Sequence, residues 1–155
     1  MTINRRRQTG VAMIEMVIVT PVLLMLVLGV SELGNAFMQQ NTLNKSVRDA
    51  ARQVSAFALL GTTGTVLLTP NLIADARNLV VYGNVVPPVG ARPLLPALSG
   101  GQVSVSVSDA VNNLVTVQVN YAYIPIISPV LETFGMGTGP SLAITLRAAV
   151  TMRAL

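Results

Sequence analysis

The chain opens with a basic cluster, Arg5–Arg7, followed by an apolar run from Val11 to Val30 that holds a single carboxylate, Glu15. A helix needs roughly 20 residues, at about 1.5 Å each, to cross the ~30 Å hydrocarbon layer of a bilayer. Residues 14–33 reach that length, and Pro21 inside them predicts a kink of the kind that membrane helices tolerate. The pattern therefore predicts a transmembrane helix. By the positive-inside rule its N-terminus lies in the cytoplasm and the rest of the chain lies outside.

The helical pattern continues beyond the apolar run. A stripe at spacings of three or four extends to residue 58, and polar residues fill the other faces of the helix. Its members are Leu33, Phe37, Gln40, Leu43, Val47, Ala51, Val54 and Ala58. Such a stripe is typical of a helix that packs against a domain. The sequence predicts one helix over residues 11–58, ended by Gly61 and Gly64.

The second half of the chain predicts a small mixed domain over residues 59–155. Thr69 is suited to cap a short helix, and Pro70 suits its first position. Residues 85–101 contain four prolines and leave two possibilities open, an ordered loop or a linker. After Gly101 the apolar residues alternate with polar ones, which indicates strands.

Three strands are predicted. The first contains Val103, Val105 and Val107, the second runs from Val115 to Tyr123, and the third runs from about Ser141 to Arg153. A sheet with one apolar face needs a cover, and the amphipathic half of the long helix can supply it. The predicted fold class is therefore α+β and pilin-like: a long N-terminal helix packed on a small antiparallel sheet, with a short second helix.

Composition narrows the function. Only 10% of the 155 residues are charged, and the chain has neither histidine nor cysteine. Thiolate chemistry, Cys/His metal sites and imidazole-based triads are therefore excluded, and the six carboxylates are scattered along the chain. Aromatic residues make up 4%, too few for base-stacking platforms. We expect no enzyme, no cofactor, no metal site, no small-molecule substrate and no nucleic-acid partner.

The apolar N-terminus has two simpler interpretations. It could be a secretory signal peptide cleaved near Gly34-Asn35-Ala36, although an acidic residue at the start of the apolar region is unusual for one. It could also be an uncleaved anchor in which Glu15 reaches towards water near Arg5–Arg7. In both cases the protein would be a cleaved or membrane-anchored envelope protein, for example of an unrelated export system.

The segment from Gly10 to Ser55 nevertheless resembles the signature segment of TadE-like proteins, the minor pseudopilins of the tight-adherence (Flp) pilus system. Matching positions are the small-residue start, the acidic residue, the internal proline, the glycine-containing exit, the aromatic and the RxxAR-type ending. These are Gly10, Glu15, Pro21, Gly29, Gly34, Phe37 and Arg48-Asp49-Ala50-Ala51-Arg52. Met16 stands where Flp-type leaders usually have an aromatic residue. The later half is also similar to these proteins, so the resemblance covers most of the chain. The similar positions there are Ala76-Arg77, Tyr82-Gly83-Asn84, Val115–Tyr123 and Thr151-Met152-Arg153.

The resemblance implies a function and a processing site. Residues 1–10 would be a leader, cut between Gly10 and Val11 by a prepilin peptidase, and Glu15 would meet the new terminal ammonium of a neighbouring subunit. The resemblance further implies a single-pass protein of the bacterial inner membrane with a periplasmic C-terminal domain. Its partners would be other pilin and pseudopilin subunits, the prepilin peptidase, inner-membrane platform proteins of the pilus, and the lipid bilayer.

Overall fold

The computed structural model describes residues 5–59, 64–131, 133–135 and 137–155, with the backbone alone for residues 5–9. Within these residues two α-helices are followed by three strands, which confirms the predicted α+β fold class. The elements are α1 (Arg5–Phe57), α2 (Pro70–Tyr82), β1 (Val103–Asp109), β2 (Leu114–Ala122) and β3 (Thr145–Arg153). A single turn of 3-10 helix at Gly100–Gln102 leads into β1.

Helix α1 has 53 residues and contains Pro21. It begins at Arg5, so its backbone includes residues that the sequence places in the leader. It ends at Phe57, and the Ala58 N–H still donates to the Val54 carbonyl at 2.9 Å. Gly61, which was expected to end the helix, lies outside the described residues.

Contacts divide the chain into two compact units, and α1 contributes to both. One unit joins the described residues of Met1–Ala36 with Ile124–Ala143, and the other joins Phe37–Tyr123 with Ile144–Leu155. The segment between β2 and β3 therefore belongs with the first part of α1, rather than with the strands that flank it in sequence.

The second unit holds the hydrophobic core. Its fully buried side chains come from the later part of α1, from α2 and from β2, and they include Leu43, Val47, Val54, Val80, Val115, Val117, Val119 and Tyr121. Each fully buried aliphatic side chain of this size stabilises the fold by about 1.5–3 kcal/mol relative to an exposed one. The predicted cover of the sheet is thus present in the structure, because helix and strand residues share one core.

The sheet is antiparallel with the order β1-β2-β3. Val117 in the central strand pairs with Val105 of β1 on one side and with Val150 of β3 on the other. Burial follows the alternation most closely in β2, whose valines are buried. In β1 the burial decreases along the strand, from buried Val103 to exposed Val107.

The third strand is shorter than predicted. It begins at Thr145 instead of about Ser141, and Ile144, which precedes it, is exposed. Ser141 forms an isolated bridge with Val130, so this residue pairs within the β2–β3 connection and not with the sheet. An alternating pattern cannot reveal such a competing partner.

Helix α2 has the predicted ends. Thr69 Oγ1 accepts a hydrogen bond from the Leu72 N–H at 3.3 Å, and Pro70 occupies the first helical turn. Gly83 ends the helix in the left-handed region (φ 72°), and its N–H donates to the Leu79 carbonyl. Glycine adopts this conformation without the steric cost that a side chain would bring.

The proline-rich segment 85–101 is an ordered loop and not a linker. Leu95 and Leu98 are buried in the core, and the Leu94 N–H donates to the Val81 carbonyl at 2.7 Å. From the sheet, the Tyr121 hydroxyl donates to the Pro96 carbonyl at 2.9 Å. These contacts join the loop to α2 and to β2.

Candidate functional site

Gly10 and Val11, the predicted processing site, lie within α1. Both residues are exposed, and a β-carbon added to Gly10 would meet none of the described side chains within 4 Å. Gly10 is helical, so no left-handed conformation requires it. A glycine inside a helix costs about 1 kcal/mol relative to alanine. Neither packing against the described side chains nor backbone geometry therefore calls for a glycine at position 10.

Glu15 lies on the exposed surface of the same helix, between the exposed apolar side chains of Ile14 and Met16. Within the described part of the chain its carboxylate has no hydrogen-bond or ion-pair partner. Residues four apart in a helix face the same side. The structure therefore brings Val11 and Glu15 together on one face, about 6 Å apart along the helix axis, whereas Gly10 lies on a different face.

Two features near Pro21 disturb the regular backbone hydrogen bonding of α1. Pro21 cannot donate to the Val17 carbonyl, since proline has no N–H. One residue earlier, the Thr20 hydroxyl donates to the Met16 carbonyl at 2.7 Å. Threonine bonds of this kind often bend helices. A shallow depression at this point is lined mainly by apolar side chains, namely Met13, Met16, Val17, Thr20 and Pro21.

Glu32 is a polar residue whose role the sequence did not reveal. It is only 4% exposed, and its Oε1 accepts a hydrogen bond from the backbone N–H of Ile126 at 2.8 Å. The two residues are 94 positions apart. In the sequence Glu32 stands one residue before the end of the predicted span 14–33, and no local signal could have shown its partner.

Among the described residues, α1 is the helix that is long and apolar enough to cross a membrane. Its most apolar window has a mean hydropathy of 2.6, and none of that window is buried inside the protein. Val11, Val17 and Leu26 are each at least 60% exposed. The helix is thus compatible with a single-pass membrane protein.

The comparison with protein families gave one match. The model of the family described as TadE-like protein matches residues 10–52. Residues 10–52 are therefore similar to TadE-like proteins. The matched range begins at Gly10 and ends at Arg52, so it contains Glu15 and Pro21 and confirms the resemblance drawn from these residues. No curated protein sequence and no solved structure matches the chain.

The TadE-like segment ends in the motif Arg48-Asp49-Ala50-Ala51-Arg52, where the structure separates two roles. Ala50 and Ala51 are buried in the core of the second unit, whereas Arg48, Asp49 and Arg52 are exposed. Small side chains let neighbouring elements approach the helix closely, which explains the alanines. The charged residues form a solvent-exposed helix face, as expected of charges that flank a buried stripe.

The match to the TadE-like family covers α1 from Gly10 to Arg52, and α2 and the sheet lie outside it. The resemblance of the later half of the chain is therefore not part of this match. The described residues contain no cluster of three or more His, Cys, Asp or Glu that could hold a metal ion.

Proposed function

We propose that this protein is a minor pilin-like subunit, a pseudopilin, that takes part in the assembly of a tight-adherence (Flp-type) pilus. The observation that carries the proposal is the TadE-like segment, which begins at Gly10 and places Glu15 five residues further on. In this proposal the protein is a single-pass component of the bacterial inner membrane. It has no enzymatic role of its own.

The proposed topology puts residues 14–33 of α1 across the bilayer. Arg5–Arg7 stays on the cytoplasmic side, and the sheet domain lies in the periplasm. The exposed apolar surface of α1 supports this arrangement, because side chains such as Val17 and Leu26 would otherwise face water. Burying such a side chain fully in an apolar phase is worth about 1.5–3 kcal/mol.

The proposed processing step removes residues 1–10. A prepilin peptidase would hydrolyse the peptide bond between Gly10 and Val11, which releases the leader carboxylate and leaves Val11 with a free ammonium. This charge would lie one helical turn before Glu15 of the same chain and within reach of Glu15 from a neighbouring subunit. A lone charge in an apolar helix bundle is unfavourable, whereas a paired one is compensated and can fix the register between subunits.

The remaining proposed partners follow from this position. Neighbouring pilin and pseudopilin helices would pack along α1, where the depression at Pro21 offers an apolar surface. Platform proteins of the pilus in the inner membrane would recruit the subunit, and the same peptidase would process it.

The test is a strain that lacks the gene and carries either the wild-type chain or an empty vector. Pili are counted by electron microscopy, and the purified fibres are probed for the protein. We expect pili to be lost without the gene and restored with it. Normal piliation in the deletion strain would contradict the proposal.

A periplasm-dependent reporter fused after Leu155 tests the topology separately. We expect it to be active. Activity of a cytoplasm-dependent reporter at the same position would contradict the proposed orientation without deciding the pilus role.

A further inference from the structure

Between β2 and β3 the chain makes a 20-residue excursion, Ile124–Ala143, that belongs to the same compact unit as the first part of α1. We propose that this segment is a second membrane contact, which lies in the outer interfacial layer of the bilayer beside the end of the transmembrane segment. The inference rests on the proposed membrane span of α1 and adds a lipid-binding surface to it.

The depth of the segment follows from its contacts with α1. Ile126 is hydrogen bonded to Glu32, and a methyl group placed on Gly29 would touch the Leu131 side chain at 4.0 Å. Leu28 lies beside Ile127 at a small shared cavity. These helix positions are the last turns of the predicted span. At about 1.5 Å per residue, Leu28 lies only ~8 Å along the axis from its outer end.

The chemistry of the segment suits lipid better than water. It contains no lysine or arginine, and its single carboxylate, Glu132, lies outside the described residues. Although the segment contacts α1, Ile126 remains 74% exposed and Phe134 49% exposed. Ile124, Ile127 and Val130 are also exposed. Interfacial segments bury such side chains about 5–10 Å into the boundary between headgroups and acyl chains.

The backbone N–H groups of the segment also suit an environment with little water, because several of them are absent or hydrogen bonded. Unpaired N–H groups are costly there, and irregular backbone is excluded from lipid unless its polar groups are satisfied. Pro125, Pro129 and Pro140 have no N–H to satisfy. Several other N–H groups are paired within the first unit. Ile126 donates to Glu32, Leu131 to the Pro140 carbonyl, Leu142 to the Pro129 carbonyl, Val130 to Ser128 Oγ and Ala143 to Ser141 Oγ.

These observations favour the interface over the hydrocarbon interior and over a protein partner. The segment is not a regular helix, so it cannot cross the bilayer. The segment contacts α1 in the last turns of the proposed span, where Val27 and Val30 remain exposed, so its own exposed apolar side chains lie beside helix turns that would face lipid. A second copy of the chain on this surface is the alternative that the experiment must distinguish.

The test uses single cysteines, because the chain has none of its own. Cysteine is placed in the full-length protein at Ile126, Phe134, Leu33 and Val22, and at Val89 and Val111 as controls. The controls are at least 90% exposed and lie in the second unit. Each variant carries an environment-sensitive fluorophore and is reconstituted in vesicles of phosphatidylethanolamine and phosphatidylglycerol. Quenchers are attached either to the lipid chains or to a water-soluble carrier.

We expect labels at Ile126 and Phe134 to lose emission to the shallow lipid quencher as strongly as the label at Leu33. Labels at Val89 and Val111 should respond only to the soluble quencher. If the label at Val22 is quenched by lipid but those at Ile126 and Phe134 behave like the controls, the interfacial contact is overturned while the span stands. If the soluble quencher reaches the label at Val22, the proposed membrane span of α1 is contradicted, and the inference is contradicted with it.

A dilution series settles the remaining alternative. If the labels at Ile126 and Phe134 are shielded from both quenchers, and this shielding is lost when the protein is diluted in lipid, the segment contacts another subunit. That result would overturn the lipid contact. Lipid quenching that is independent of dilution supports it.

Discussion

The carboxylate of Glu32 accepts a hydrogen bond from the backbone N–H of Ile126 at 2.8 Å, although the two residues are 94 positions apart. The other carboxylate of the apolar helix region, Glu15, is exposed. The two glutamates therefore have opposite environments. Glu32 contributes to the packing of its own chain, whereas the partner proposed for Glu15 belongs to another molecule.

The role of Glu32 can be tested with two substitutions of similar size. Glu32→Gln keeps an oxygen that can accept from Ile126, whereas Glu32→Leu leaves that N–H without an acceptor. An unsatisfied buried donor costs about 1–3 kcal/mol. We expect faster hydrogen exchange in peptides covering residues 124–131 for the leucine variant and near wild-type exchange for the glutamine variant. Equal exchange in all three proteins would show that this hydrogen bond does not hold the segment.

Gly10→Leu should abolish leader removal, because a small residue is required at the end of a prepilin leader while the helix itself has room for a side chain. The variant should keep all 155 residues, ten more than the processed chain. Gly34→Leu is a matched control, since Gly34 is also exposed in α1 and also has no atom within 4 Å of an added β-carbon. Intact mass spectrometry from cells with the peptidase distinguishes the forms. If the wild-type protein has the mass of the full chain, the result favours the uncleaved anchor.

Glu15→Ala separates membrane insertion from assembly. Removing a charge from an apolar helix favours insertion, so the variant should reach the membrane in normal amounts. If Glu15 pairs with a neighbour's ammonium, the loss leaves a buried charge uncompensated at a cost of about 3–5 kcal/mol. That cost corresponds to more than about a hundredfold in association. We therefore expect pili to be lost in a strain that has only this copy, whereas Met16→Ala should assemble. Wild-type piliation by Glu15→Ala would rule out the pairing.

Tyr121→Phe tests how the proline-rich loop is held on the sheet. The substitution removes the hydroxyl that donates to the Pro96 carbonyl but keeps the ring in the core. We expect a loss of about 0.5–1.5 kcal/mol in the free energy of unfolding, measured by urea titration of the full chain in detergent. Tyr82→Phe, at a half-buried position of α2, serves as the control and should change little. Equal effects of the two substitutions would argue against the hydrogen bond.

Asp109 at the β1–β2 turn provides a pH-dependent test of the hairpin. The side chain of Asn112, followed by the backbone N–H groups of Asn112 and Val111, lowers the pKa of Asp109 below its ordinary value of 3.8. These bonds stabilise the folded turn fully above that value and are lost as the pH falls through the lowered pKa. Asn112→Ala should raise the midpoint of the Asp109 carboxyl titration, followed by NMR, towards 3.8. Asn84→Ala should leave it unchanged, and an unaltered midpoint in Asn112→Ala would refute the assignment.

Local patterns determined the helices and most of the sheet. The length and apolarity of the N-terminal run fixed the long helix, and Thr69 with Pro70 placed the start of α2, because caps and periodicity act over only a few residues. The family resemblance followed in the same way from Gly10, Glu15 and the Arg48–Arg52 motif. The alternation of valines was sufficient to recognise β2.

The tertiary structure decided what depends on residues far apart in the chain. Only the fold shows that Ser141 pairs with Val130 and not with β2, that Leu95 and Leu98 bring the proline-rich loop into the core, and that Glu32 meets Ile126. Each of these outcomes is a competition between distant partners. The free energy of such a contact depends on which groups the whole fold brings together, and a sequence window around either partner does not contain that information.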